Sequence, residues 1–144
     1  MEKSSRQIRA ELKEIWPKLR HIWLFDRNFS IPTFEKLEGI LKEINNYKVN
    51  NIGLHDLYNV GDVWDCDDFS MLASAFIRIN WKLKENRLPI PFGRAMGNEF
   101  RGMPILHSLN ICITQEGIYF IDYDDGGRVW KASPDNDNIF YVSI

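Results

Sequence analysis

The sequence predicts an α+β fold: N-terminal helices and a central, cysteine-bearing helix packed on a C-terminal antiparallel sheet. Three observations predict it. Up to Lys84, apolar residues recur at three- and four-residue spacing, the rhythm of amphipathic helices. The stretch Asn86 to Gly93, with two prolines, then breaks that rhythm. Beyond it, short runs of strand-forming residues alternate with turn signals. Helices first and strands second is the α+β pattern. No repeat, low-complexity segment or linker divides the 144 residues, so one domain over 1–144 is expected.

Taken in order, Ser4 to Leu19 reads as the first helix, with Ile8, Leu12, Ile15, Trp16 and Leu19 on one face. Pro17 ends or kinks it. His21 to Phe25 is short, apolar and aromatic, and reads as a strand or a buried turn. Nothing near His21 has a metal-ligand spacing, so it reads as a packing or surface residue. Ser30-Ile31-Pro32-Thr33 is a helix-start signal, followed by the stripe Phe34, Leu37, Ile40, Leu41 and Ile44. Asn45-Asn46 stops that helix. Gly39 inside it costs about 1 kcal/mol relative to alanine, which predicts a closely packed neighbour there. Tyr47 to Val63 is a polar and aromatic connection carrying His55, read as a surface or core histidine.

The central helix is expected from Cys66 to Lys84, with Phe69, Leu72, Ala73 and Phe76 on its apolar face. Asp65 reads as its N-cap, and acids in the first turn suit the helix dipole. Cys66 then lies where unpaired backbone N–H groups favour a thiolate. The flanking aspartates oppose this, because negative charge raises a thiol pKa. A reactive Cys66 therefore needs a positive partner.

Strands are expected at Phe92–Met96, Pro104–Thr114, Ile118–Tyr123, Val129–Ala132 and Ile139–Ile144. In the second, His107, Leu109, Ile111 and Ile113 share one face, and Ser108, Asn110 and Cys112 the other. Cys112 reads as a small core residue. Gln115-Glu116-Gly117 makes a turn. Pairing Ile113 with Ile118 sets His107 opposite Asp124, and a shift of two sets it opposite Asp122. Either carboxylate would fix the imidazole tautomer and stabilise its charged form. Two readings stay open at this point. His107 is the partner that activates Cys66, or it is a core histidine beside turn acids.

The formal net charge is −2, with no basic excess to suggest nucleic acid. Two cysteines are too few for a disulfide framework. No apolar run approaches the roughly 20 residues that span a membrane. Met1 to Arg9 is polar, with no signal peptide visible, which leads to the expectation of a cytoplasmic protein.

Asp65-Cys66-Asp67-Asp68-Phe69, a helix, His107-Ser108-Leu109-Asn110 and Ile118-Tyr119-Phe120-Ile121-Asp122 together resemble the papain-like and transglutaminase-like cysteine peptidase superfamily. The resemblance covers roughly residues 60 to 125, and is nearest to bacterial transglutaminase-like cysteine proteinases and the protease domain of Marasmius-type agglutinins. It implies a Cys66 nucleophile, a His107 general base and an orienting Asp122, with Asp124 as the alternative acid. It implies a cysteine hydrolase that cleaves a peptide or peptide-like amide through an acyl-enzyme. The Cys66 backbone N–H would serve an oxyanion hole, with Asn59 as the candidate second donor. No cofactor is required for that chemistry. The agglutinin-type enzymes are calcium-dependent, which points to calcium at Asp65, Asp67 and Asp68.

Two competing functions follow from the same residues. One is a non-catalytic binding or inhibitory domain on the same fold, with Trp64, Trp81, Trp130, Tyr119 and Tyr141 serving an interface or a core. The other is a small calcium-binding domain in which the three aspartates matter and Cys66 does not.

Overall fold

The computed structural model describes residues 1–46, 48–49, 52–53, 66–84 and 86–144. In chain order the elements are β1 (Glu2–Ser4), α1 (Ser5–Ile15), β2 (His21–Trp23), β3 (Asn28–Ser30), α2 (Phe34–Asn45), β4 (Lys48–Val49), β5 (Ile52–Gly53), α3 (Cys66–Leu83), β6 (Phe92–Glu99), β7 (His107–Thr114), β8 (Gly117–Asp122), β9 (Arg128–Lys131) and β10 (Asn138–Ser143). The class is α+β.

Each helix begins and buries as its residues dictate. Ser4 caps α1 in a reciprocal box: its hydroxyl accepts the Gln7 N–H and the Gln7 side chain accepts the Ser4 N–H at 2.8 Å. Ile8 and Leu12 are buried on one face, and Trp16 beyond them donates its indole N–H to the Asp137 carbonyl at 2.9 Å. Thr33 caps α2 by accepting the Lys36 N–H, and Leu37, Ile40, Leu41 and Ile44 are buried. In α3 the buried line is Phe69, Ala73, Ile77 and Trp81. Leu72 and Phe76 lie at its margin, half-buried against the core. No atom lies within 4 Å of a methyl group built on Gly39, so the close neighbour expected there is absent among the described residues.

Six strands form one sheet in the order β2-β10-β6-β7-β8-β9. The C-terminal strands β6 to β10 pair antiparallel throughout, as expected, and β2, from the N-terminal part of the chain, joins β10 in parallel. A sequence run of strands and turns shows hairpins well, but a parallel neighbour must arrive from a distant segment and leaves no local mark. β1 and β3 form a separate antiparallel pair, as do β4 and β5.

The sheet is covered on both faces. On one side α1, with Trp16 and Phe29, packs on Ala95, Leu109, Ile111, Phe120 and Val142. On the other, α2 and α3 pack on Phe92, Cys112, Ile121 and Tyr123. β7 runs through the middle, so every residue from Ser108 to Thr114 is buried. Such a strand has no solvated face, and the polar side chains on it must find partners inside.

Candidate functional site

The hairpin β7–β8 sets the geometry of the site. Ile113 pairs with Ile118, and the ladder ends at Asn110–Ile121. Continued past that end, the register would set His107 opposite Asp124. The His107 ring instead meets Asp122, with Nε2 2.9 Å from Oδ2. A carboxylate only accepts, so Nε2 carries the proton and donates. Asp124 contributes backbone rather than carboxylate: its N–H donates to Asp122 Oδ1 at 3.1 Å, and the Asp125 N–H does so at 3.3 Å. Asp122 therefore closes a turn with one oxygen and holds an imidazole with the other.

The pair is nearly enclosed, with side-chain exposures of 10% for His107 and 12% for Asp122. The hydrogen bond that His107 donates to Asp122 raises the His107 pKa above its ordinary value. Burial opposes that shift, and the charges of Asp122, Asp124 and Asp125 add to it. Phe100 stands edge-on to the imidazole, 6.0 Å between ring centres. His107 is also paired across β6 with Gly97. A methyl group there would fall 2.6 Å from the Asn138 carbonyl and 2.9 Å from the Phe100 ring, so glycine is what lets Phe100 close on the histidine.

Cys66 opens α3, half-buried, and neither cysteine is in a disulfide. Cys112 is fully buried, and burial pushes its thiol pKa far up. One turn beyond Cys66, the Ser70 hydroxyl donates to the Asp67 carbonyl at 2.9 Å. That uses its single hydrogen, so in the 3.1 Å contact with Ser108 it is the Ser108 hydroxyl that donates. This contact fixes the first turn of α3 against the start of β7, beside His107. Asn110, two residues on, deepens the junction. Its amide nitrogen reaches the Ser70 carbonyl at 2.8 Å, and the Ser74 hydroxyl and Gly93 carbonyl at 2.9 Å each.

Reading the sequence did not reveal this clamp. The available signal was two polar residues, Ser108 and Asn110, on alternate positions of an otherwise apolar strand. Asn59, Asp65, His55 and Trp64 lie outside the described residues. Asp67 is exposed and Asp68 half-buried. Among the described residues no three His, Cys, Asp or Glu side chains converge as a metal-holding group. Also among them, no helix is long and apolar enough to cross a membrane. Trp81 is a core residue, its indole donating to the Leu88 carbonyl at 2.9 Å.

No family model matches this sequence, and no curated protein does. Several solved structures are similar in fold, two of them as follows. One is described as a PSL1a–E64 complex, with a TM-score of 0.68 and 15% identity over 97% of this chain and 50% of that one. The other is described as Polyporus squamosus lectin bound to the human-type influenza-binding epitope Neu5Aca2-6Galb1-4GlcNAc. Its TM-score is 0.66 at 15% identity, over 97% of this chain and 48% of that one. This chain thus spans about half the length of each. At that identity the likeness establishes the fold alone.

These matches correct the family suggested by the motifs. One of the similar structures is described as a lectin bound to a sialylated glycan epitope. The expected cysteine hydrolase, its thiol-protease triad chemistry and its peptide or amide substrate are withdrawn with that family. The structure supplies another reason for the motif residues. Asp67 and Ser70 tie off the first turn of α3, while Ser108 and Asn110 bind that turn to the sheet. Of the motif letters, Ser108 and Asn110 are thus accounted for by a buried helix-to-sheet junction.

Proposed function

We propose that this chain is a single non-catalytic binding domain and that its ligand is a glycan. The observation that carries the proposal is the extent of the fold match: 97% of the chain is covered by the likeness to a structure described as a lectin. We place the polar centre of the site at His107 and Asp122, with Cys66 adjoining at the head of α3. The chemistry suits a hydroxyl-bearing ligand. Asp122 holds Nε2, and the second ring nitrogen of His107 has no hydrogen-bond partner among the described residues. With a raised pKa the ring keeps a proton on that nitrogen further into the neutral range, so it can donate to a ligand oxygen. Met103, Ile105 and Leu106, all exposed, give an apolar approach to the histidine.

The test is a glycan array followed by titration calorimetry on the best ligand. The expected result is a measurable affinity that falls about tenfold in His107→Ala, the loss of one charged hydrogen bond, and is unchanged in Cys66→Ser. Absence of binding to every glycan would overturn the reading. So would turnover of any amide that disappears in Cys66→Ala.

A further inference from the structure

A second cleft, of about 240 Å³, lies between α3 and the β6–β10 side of the sheet, away from His107 and Asp122. Its walls have an unusual balance. Arg78 and Arg94 both line it, and no side-chain carboxylate does. Arg94 is half-buried on β6, yet among the described residues its guanidinium makes no ion pair or hydrogen bond. A cation held partly out of water without a counter-charge is costly, and an anion that arrives there recovers that cost. Arg78 meets Asp26 through one contact of 2.8 Å, which leaves most of its five donors for another acceptor.

Part of the lining is apolar. Phe25 and Met71 are 71% and 54% exposed, although each is a side chain that normally prefers cover. An exposed aromatic face beside guanidinium groups is suited to a flat or ring-shaped body carrying a negative group. Tyr141, half-buried and also lining the cleft, has no hydrogen-bond partner among the described residues and can serve a ligand hydroxyl. The volume is just under the roughly 300–1,000 Å³ of clefts that hold drug-sized ligands, so the cleft fits one ring.

We propose that this cleft binds a carboxylate carried on a single ring, with Arg94 and Arg78 holding the carboxylate and Phe25 and Met71 holding the ring. The carboxylate can come from an acidic sugar or from an aromatic acid. The inference stands on the cleft alone and does not require the glycan reading.

Titration by nuclear magnetic resonance or calorimetry tests it with four probes: N-acetylneuraminic acid, its methyl ester, benzoate and benzyl alcohol. The expected result is that at least one acid binds at least tenfold more tightly than its uncharged counterpart. Binding of the sugar acid alone assigns the first source, and binding of benzoate alone the second. Arg94→Gln should remove the preference for the acid. Phe25→Ala, a change at an exposed position that leaves the core intact, should weaken the acid at least threefold. Equal binding of acid and uncharged counterpart, no binding of either acid, or an unchanged preference in Arg94→Gln would overturn the proposal. None of these outcomes bears on glycan binding at His107.

Discussion

The amide nitrogen of Asn110 donates to the backbone carbonyl of Ser70 at 2.8 Å, joining the centre of the sheet to the first turns of α3 across 40 positions of sequence. The same nitrogen also serves Ser74 and Gly93. Replacing it with an apolar side chain of similar size, Asn110→Leu, leaves buried acceptors without this donor. A loss of about 1–3 kcal/mol in unfolding free energy is expected. Chemical denaturation at neutral pH measures it, and a change under about 0.5 kcal/mol, the range of ordinary surface substitutions, would show that the clamp carries no weight.

The His107–Asp122 pair makes stability depend on pH in a definite direction. The folded pKa of His107 is raised, so the folded state binds the proton more tightly than the unfolded chain. The contribution is fully present below the unfolded value of about 6.5 and is lost as pH rises through the folded pKa. Unfolding free energy should therefore fall between pH 6 and pH 9 in the wild type. His107→Gln should remove that part of the slope. A wild-type curve that rises over this interval, or the same slope in both proteins, contradicts the assignment.

Gly97 sets the distance between Phe100 and the imidazole. Gly97→Ala would force a methyl group to 2.6 Å from the Asn138 carbonyl and 2.9 Å from the Phe100 ring. Overpacking of this kind costs about 1–3 kcal/mol. Because the displaced ring stands against His107, the imidazole pKa measured by nuclear magnetic resonance should shift along with the melting temperature. A variant that melts lower with an unmoved imidazole pKa would separate Phe100 from the site.

The two cysteines should react differently. Cys112 is fully buried and its thiol pKa is pushed up, so alkylation there should wait for unfolding. Cys66, half-buried at the start of α3, should label in the folded protein. Mass spectrometry after brief iodoacetamide treatment distinguishes the sites. Under the non-catalytic reading, the Cys66-labelled protein differs from Cys66→Ser only by added bulk, and the serine variant keeps its ligand affinity.

Much of the fold was legible in the sequence because it rests on local periodicity. The stripe Leu37, Ile40, Leu41 and Ile44 gives α2 its face, and the pairing of Ile113 with Ile118 follows from the turn at Gln115-Glu116. What was not legible depends on distance. Nothing near His21 or Tyr141 announces that β2 and β10 run side by side. The site was legible in part. One hairpin contains both His107 and Asp122, so alternation alone limits the histidine to two acids. The function was misread because a few letters around Cys66 and His107 fit two physical uses. Ser108 and Asn110, two letters of that pattern, serve the junction of α3 with the sheet.

The position of β10 has a further consequence. It lies between β2 and β6, so the sheet stays in two unjoined pieces until residues 138–143 are present. During synthesis on the ribosome, β2 has no sheet neighbour to bind, and one edge of β6 stays open. Exposed edges invite pairing with other chains. The nascent protein is therefore most prone to aggregate just before β10 emerges, and slowing translation near that point should lower its soluble yield.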